Sequence, residues 1–146
     1  MEKISVSSEE TVNIAGEFIA SLKKKENSAL IVGLYGELGA GKTTFTQAVA
    51  KYLGITETVQ SPTFVIEKIY KLEDREFKHL IHIDAYRIEK SDELVSLGWH
   101  DMVSNPDNLI FLEWPERVAE LLPKDHVKIY FTAVDETRRK ITINNQ

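Results

Sequence analysis

Cysteine is absent from this chain. That removes a disulfide framework, a thiol nucleophile and any cysteine zinc site. No apolar stretch approaches the roughly 20 residues that a membrane-spanning helix needs. The opening Met-Glu-Lys-Ile-Ser-Val segment lacks the apolar centre of a signal peptide. A cytoplasmic protein with no membrane contact is the expectation. Basic residues do not dominate either, since the formal charge is −5. That argues against a protein that grips nucleic acid unaided through many phosphate contacts. Repeats, low-complexity tracts and dividing linkers are missing too. The 146 residues therefore read as one domain, 1–146, with enough chain for a proper core.

Glycine is scarce, yet three of the seven fall within one short segment. Gly36-Glu37-Leu38-Gly39-Ala40-Gly41-Lys42-Thr43 reads G-x-x-x-x-G-K-T, the phosphate-binding loop of nucleoside triphosphatases. The spacing has a mechanical reason. A strand must turn sharply into a helix while several backbone N–H groups point at one phosphate chain. Gly36, Gly39 and Gly41 permit the dihedrals and keep side chains out of the way. Lys42 is placed to reach the β- and γ-phosphates, and the Thr43 hydroxyl to hold Mg²⁺. The helix that follows adds its positive dipole end. The context agrees. Residues 29–35 are an apolar run suited to a buried parallel strand. Phe45, Val49 and Leu53 follow at helical spacing, closed by Gly54.

Elsewhere, Ser7 and Glu10 have capping-box spacing and predict a helix over 8–22. The run Lys23-Lys24-Lys25 suits its solvated C-terminal end. Segments 63–70 and 77–84 predict an antiparallel hairpin. A short helix is expected over 91–97, a strand over 109–113 and a helix from Pro115. Segments 126–134 and 139–143 predict a last hairpin. The sum is a three-layer α/β P-loop NTPase fold, a mixed parallel and antiparallel sheet flanked by helices.

A phosphate loop needs an acid to complete its magnesium site, at the C-terminal end of a neighbouring strand. Two apolar strands end in one, at Asp84 and at Glu113. The second is the more apolar, so Glu113 is assigned to the metal, directly or through a water. Asp84 is a second metal-shell group, a group that orients or deprotonates the attacking water, or a turn aspartate that caps the strand. His79 and His82 would face opposite sides of a strand and do not suit one chelated ion. Trp114 reads as packing beside the site rather than as a stacking platform, and Trp99 as core.

Together these segments give a resemblance. The chain resembles the small bacterial P-loop ATPases of the TsaE/YjeE type, which take part in making threonylcarbamoyladenosine in tRNA. The matching residues are G-E-L-G-A-G-K-T-T at 36–44, S-P-T-F at 61–64 and H-I-D-A-Y-R at 82–87. L-G at 97–98, E-W at 113–114 and L-P at 122–123 complete the pattern. Glu37 departs from the aspartate of many members and keeps the charge. The resemblance implies that Leu38, Gly39, Ala40, Gly41, Lys42, Thr43 and Thr44 wrap ATP or ADP, with Thr43 and Glu113 serving Mg²⁺. It implies a nucleotide-sensing segment at Ser61 to Thr63, and a second element of Asp84, Tyr86 and Arg87 at the phosphate end. Thr11 matches a position that approaches the adenine. Arg139 matches a late arginine near the base, with Arg138 as the alternative. The implied partners are the TsaB and TsaD proteins, with tRNA reached only through them. Three other classes are weighed as alternatives. A small-molecule kinase has no visible lid insertion to support it. A guanine-dependent switch lacks an N-K-x-D segment, while a binding switch that barely turns over stays open.

Overall fold

The computed structural model of the chain describes residues 1–37, 39–56 and 67–144. In chain order these form β1 (Glu2–Ser5), α1 (Ser8–Ser21), β2 (Leu30–Tyr35), α2 (Lys42–Tyr52), β3 (Glu67–Lys71) and β4 (His79–Asp84). There follow α3 (Asp92–Ser96), α4 (Trp99–Val103), β5 (Asn108–Glu113), a 3-10 helix (Pro115–Leu121), β6 (Val127–Ala133) and β7 (Arg139–Asn144). The strands make one seven-stranded sheet in the order β1-β7-β6-β2-β5-β4-β3. The inner strands β6, β2, β5 and β4 run parallel, while β3, β7 and β1 pair antiparallel at the flanks. The expected mixed three-layer fold is present.

The layers follow from strand alternation. Side chains of successive residues leave opposite faces of a strand. Leu30, Val32 and Leu34 of β2 join Leu109 and Phe111 of β5 beneath α1 and α2. Ile31, Ile110 and Leu112 join Ile81 and Ile83 on the other face, under α3, α4 and the 3-10 helix. The first face is locked by aromatic contacts. The Phe45 ring of α2 lies 5.9 Å from Phe18 of α1 and 5.4 Å from Phe131 of β6. Such pairs contribute about 0.5–1.5 kcal/mol each beyond their burial. They fix α2, and hence its N-terminus, against the sheet.

The start of α1 uses the expected cap. Ser7 Oγ accepts from Glu10 N–H at 3.1 Å. The reciprocal contact is displaced by one residue, since Glu10 Oε2 accepts from Val6 N–H at 2.7 Å. Two elements were not expected, and a third differs from its expectation. β1 is a short strand paired to β7, in a stretch for which no element was expected. Trp99 lies in the core as expected, 2% exposed, and begins α4, a helix of five residues for which no element was expected. The helix at Pro115 is 3-10 and breaks at Val118, whose dihedrals are non-helical. The start of the expected strand 63–70 lies partly outside the described residues, and its remainder is β3.

Candidate functional site

The site forms where β2 ends and α2 begins. Gly36, Gly39 and Gly41 all hold positive φ, at 145°, 79° and 106°. At Gly36 the requirement is doubly enforced, because an added Cβ would lie 2.7 Å from the Phe131 carbonyl oxygen. Gly41 is the N-cap of α2 and offers no side chain there. The N-terminal N–H groups of α2 thus open onto the loop, the arrangement that attracts a phosphate.

Lys42 is only 4% exposed. Its Nζ donates to the Gly36 carbonyl oxygen at 2.5 Å and sits 3.6 Å from the centre of the Trp114 ring. Burial pulls its pKa below the usual lysine value, and the charges of Glu113, Glu116 and Asp84 oppose that pull. The aromatic contact depends on the backbone. Trp114 holds a left-handed φ of 59° between β5 and the 3-10 helix. Non-glycine residues adopt that region uncommonly, and such strain gathers at functional sites. Trp114 is therefore packing beside the site, as expected, and it also carries the loop lysine, which the sequence reading missed.

Glu113 is the last residue of β5 and is 3% exposed. The Thr43 hydroxyl donates toward its two oxygens at 3.2 and 3.4 Å. The parallel register sets Asp84 beside Glu113. Asp84 Oδ1 also accepts from Tyr86 N–H at 3.0 Å, the local turn role foreseen among its three readings. One buried contact was not foreseen. His82 Nε2 lies 2.5 Å from Glu113 Oε2. The strand period puts His82 on the same face of β4 as Asp84, but it does not say which strand lies beside that face.

Other expected residues scatter around this centre. Ala40 is buried beneath the loop. Thr44 lines an open groove of about 220 Å³ between α1 and α2, with Glu9, Val12, Gln47, Ala48 and Lys51. Thr11 lies one position from that groove, but its hydroxyl is engaged with Ser5 Oγ at 2.7 Å and the Ser7 carbonyl at 3.2 Å. The stem of Arg139 runs beside the loop, with Cγ 3.8 Å from where a Gly41 Cβ would stand. Arg138 turns instead to Asp135, at 2.7 Å. Of the two arginines, Arg139 is the one against the loop. Tyr86 and Arg87 are exposed, and the Tyr86 ring stands 5.1 Å from that of Trp114. Leu38, Ser61 and Thr63 lie outside the described residues.

Among the described residues, no three histidine, cysteine, aspartate or glutamate side chains gather into a metal cage. The Thr43 hydroxyl and Glu113 carboxylate are hard oxygen donors. That pair suits Mg²⁺, which takes one or two protein oxygens and completes its shell with phosphate and water.

Most of the chain matches known relatives. Residues 5–141 match the family described as "Threonylcarbamoyl adenosine biosynthesis protein TsaE". The tRNA threonylcarbamoyladenosine biosynthesis protein TsaE of Rickettsia bellii is 35% identical over 141 residues, 96% of this chain and 92% of the relative. The protein of the same name from Bacillus subtilis is 38% identical over 138 residues, 94% and 81% of the two chains. A crystal structure of Bacillus subtilis YdiB superimposes with a TM-score of 0.71 at 31% identity, covering 98% of this chain and 83% of the other.

Proposed function

The chain belongs to the TsaE family of tRNA threonylcarbamoyladenosine biosynthesis proteins, and from that premise we propose that it is a Mg²⁺-dependent ATPase serving that modification. The observation that carries this reading is the Thr43–Glu113 contact of 3.2 Å. It joins the first turn of α2 to the end of β5 at the mouth of a phosphate loop. The two residues would hold Mg²⁺ between them. When bound, the metal neutralises charge on the β- and γ-phosphates.

The chain's own groups do the rest. Gly39 to Thr44 would present backbone N–H groups to the phosphates. Lys42 would exchange the Gly36 carbonyl for a phosphate oxygen, a stronger acceptor because it is charged. Asp84, beside Glu113 in the sheet, would orient the attacking water. Thr44 and Arg139 border the places where the nucleoside would lie. Tyr86 stands exposed against Trp114, followed by the exposed Arg87, where a partner could sense the loop. We assign Tyr86 and Arg87, and separately Ser61 and Thr63, to the docking of a TsaB–TsaD assembly. Hydrolysis can reset such an assembly only if docking favours one nucleotide state.

The test combines two measurements. Mg²⁺ titrations of ATP turnover should shift strongly in Thr43→Ala and Glu113→Ala, while Asp84→Ala should lower the single-turnover rate at saturating Mg²⁺. A shifted titration in Asp84→Ala alone would reverse the ranking of the two acids. Turnover should be slow in isolation and rise when the purified TsaB–TsaD assembly is added. Nucleotide-dependent docking without any rise would favour a binding switch, and a phosphorylated small-molecule product would favour a kinase.

A further inference from the structure

His82 has no part in the scheme above, yet it is the residue in closest contact with Glu113. It is fully buried on β4, in the stripe Leu80, His82 and Asp84 that faces α1 and α2. The neighbouring stripe on β5 is Leu109, Phe111 and Glu113. Each stripe starts in the apolar cluster and ends in an acid at the loop. His82 breaks the pattern, because it is polar at a level where its neighbours Leu80 and Phe111 are core.

Burying an imidazole away from water costs free energy unless it is hydrogen-bonded. One nitrogen is satisfied, by Glu113 Oε2 at 2.5 Å. A carboxylate only accepts, so the hydrogen resides on Nε2, which donates. Among the described residues, the Nδ1 atom has no hydrogen-bond partner. Among the described residues the ring is thus anchored by a single polar contact, and that contact is to the acid of the phosphate site. A leucine would fill the space without stranding Nδ1. The packing of the described residues gives no reason for a histidine.

The contact does supply something that Glu113 otherwise lacks. The Thr43 hydroxyl reaches the carboxylate only at 3.2 and 3.4 Å, astride both oxygens. Such long, shared contacts fix orientation poorly. We propose that His82 is a positioning residue for the phosphate site. Its Nε2–H pins Oε2 of Glu113 from the core side and keeps Oε1 turned toward Thr43 and the metal that this pair would hold. The inference rests on the reading of Thr43 and Glu113 as the metal pair. Carboxylate ligands are commonly oriented by such a partner, whose loss weakens metal affinity by about 10–100-fold.

The experiment measures ADP binding to the full chain with and without Mg²⁺, for wild type, His82→Leu and His82→Gln. Leucine keeps an apolar side chain and removes the donor. Glutamine keeps an N–H at similar reach. All three proteins should bind Mg²⁺-free ADP alike. The factor by which Mg²⁺ tightens binding should fall by about tenfold or more in His82→Leu, and glutamine should recover most of it. A merely structural ring predicts no such split. An undiminished Mg²⁺ factor in His82→Leu would overturn the proposal. So would a glutamine variant as impaired as the leucine one while Mg²⁺-free binding is intact. If His82→Leu does not fold, the imidazole N–H resonance of the wild-type protein decides. It should move when Mg²⁺ joins the ADP complex, and an unmoved resonance refutes the role. Absence of any Mg²⁺ effect in wild type would overturn the metal reading itself, and the positioning role with it.

Discussion

Lys42 is held by interactions that a nucleotide would have to replace. Its ammonium is buried, bonded to Gly36 O and set over the Trp114 ring. The bond to a neutral carbonyl is weaker than one to a charged phosphate oxygen, so exchange toward a bound nucleotide is favourable. A hydrogen bond to a charged group contributes about 1.5–3 kcal/mol, or roughly ten- to a hundredfold in affinity. Lys42→Ala should therefore weaken ADP binding by about that factor and abolish ATP turnover. Calorimetric titration with ADP and a phosphate-release assay check both. Wild-type turnover in the variant would remove the phosphate-loop assignment. At this scale the sequence exposed much of the site. Lys42, Thr43 and Glu113 could be named because each follows a local rule, glycine spacing or an acid that ends an apolar strand. His82 could not. Its contact spans 31 residues and exists only because β4 and β5 are parallel neighbours in one particular register. The Trp114–Lys42 contact was hidden for a related reason, since it depends on a left-handed backbone that no side chain announces.

Among elements, those with a strong period or a punctuating residue were legible. β2 and β5 are apolar runs buried on both faces, and α2 is bracketed by Gly41 and Gly54. β1 was not, because a four-residue edge strand with Ile4 exposed shows no burial pattern. It becomes a strand through β7, whose register brings Glu2 opposite Thr142. α4 escaped because five residues carry barely more than one helical turn. The capped start of α1 offers a direct energetic test. Ser7 Oγ satisfies one helix-terminal N–H, and Glu10 reaches back to Val6. Ser7→Ala should destabilise the fold by about 1 kcal/mol, the usual cost of a lost N-cap. Urea denaturation should show a lower midpoint with an unchanged slope. No change in midpoint would mean that packing of Phe18 and Ile14 holds the helix without its cap. Because α1 borders the Thr44 groove, any fraying should also weaken nucleotide binding slightly.

For the whole molecule, ionisation sets the pH range in which the sheet and its loops hold together. Lys24 bonds Asp107 at 2.5 Å and Lys25 bonds Asp125 at 2.9 Å, tying the end of α1 to the loops before β5 and β6. The lysine contacts hold both aspartates below the usual carboxylate range. These are surface pairs, so salt screens them and they contribute little singly. The alkaline side has a more specific origin in Tyr35, the last residue of β2 before the loop. His126 Nδ1 lies 2.7 Å from the Pro123 carbonyl, which can only accept, so that nitrogen carries the hydrogen. Nε2 of the neutral ring then accepts from the Tyr35 hydroxyl at 2.7 Å. Burial pushes the Tyr35 phenol from its ordinary 10 up to about 12, with Tyr130 and Glu116 adding to the shift. The folded protein thus holds this proton more tightly than the unfolded chain. Its contribution is fully present below pH 10 and is lost as pH rises toward about 12. In that window unfolding releases a proton, so stability must decline with pH. Urea midpoints measured across the window should fall for the wild-type protein and fall less steeply for Tyr35→Phe, which has no phenol to titrate. The variant should begin lower at neutral pH, because it loses the bond to His126, and the two curves should converge on the alkaline side. Parallel curves would show that the unfolded chain binds this proton as tightly as the folded one, and that Tyr35 does not limit the molecule in alkali.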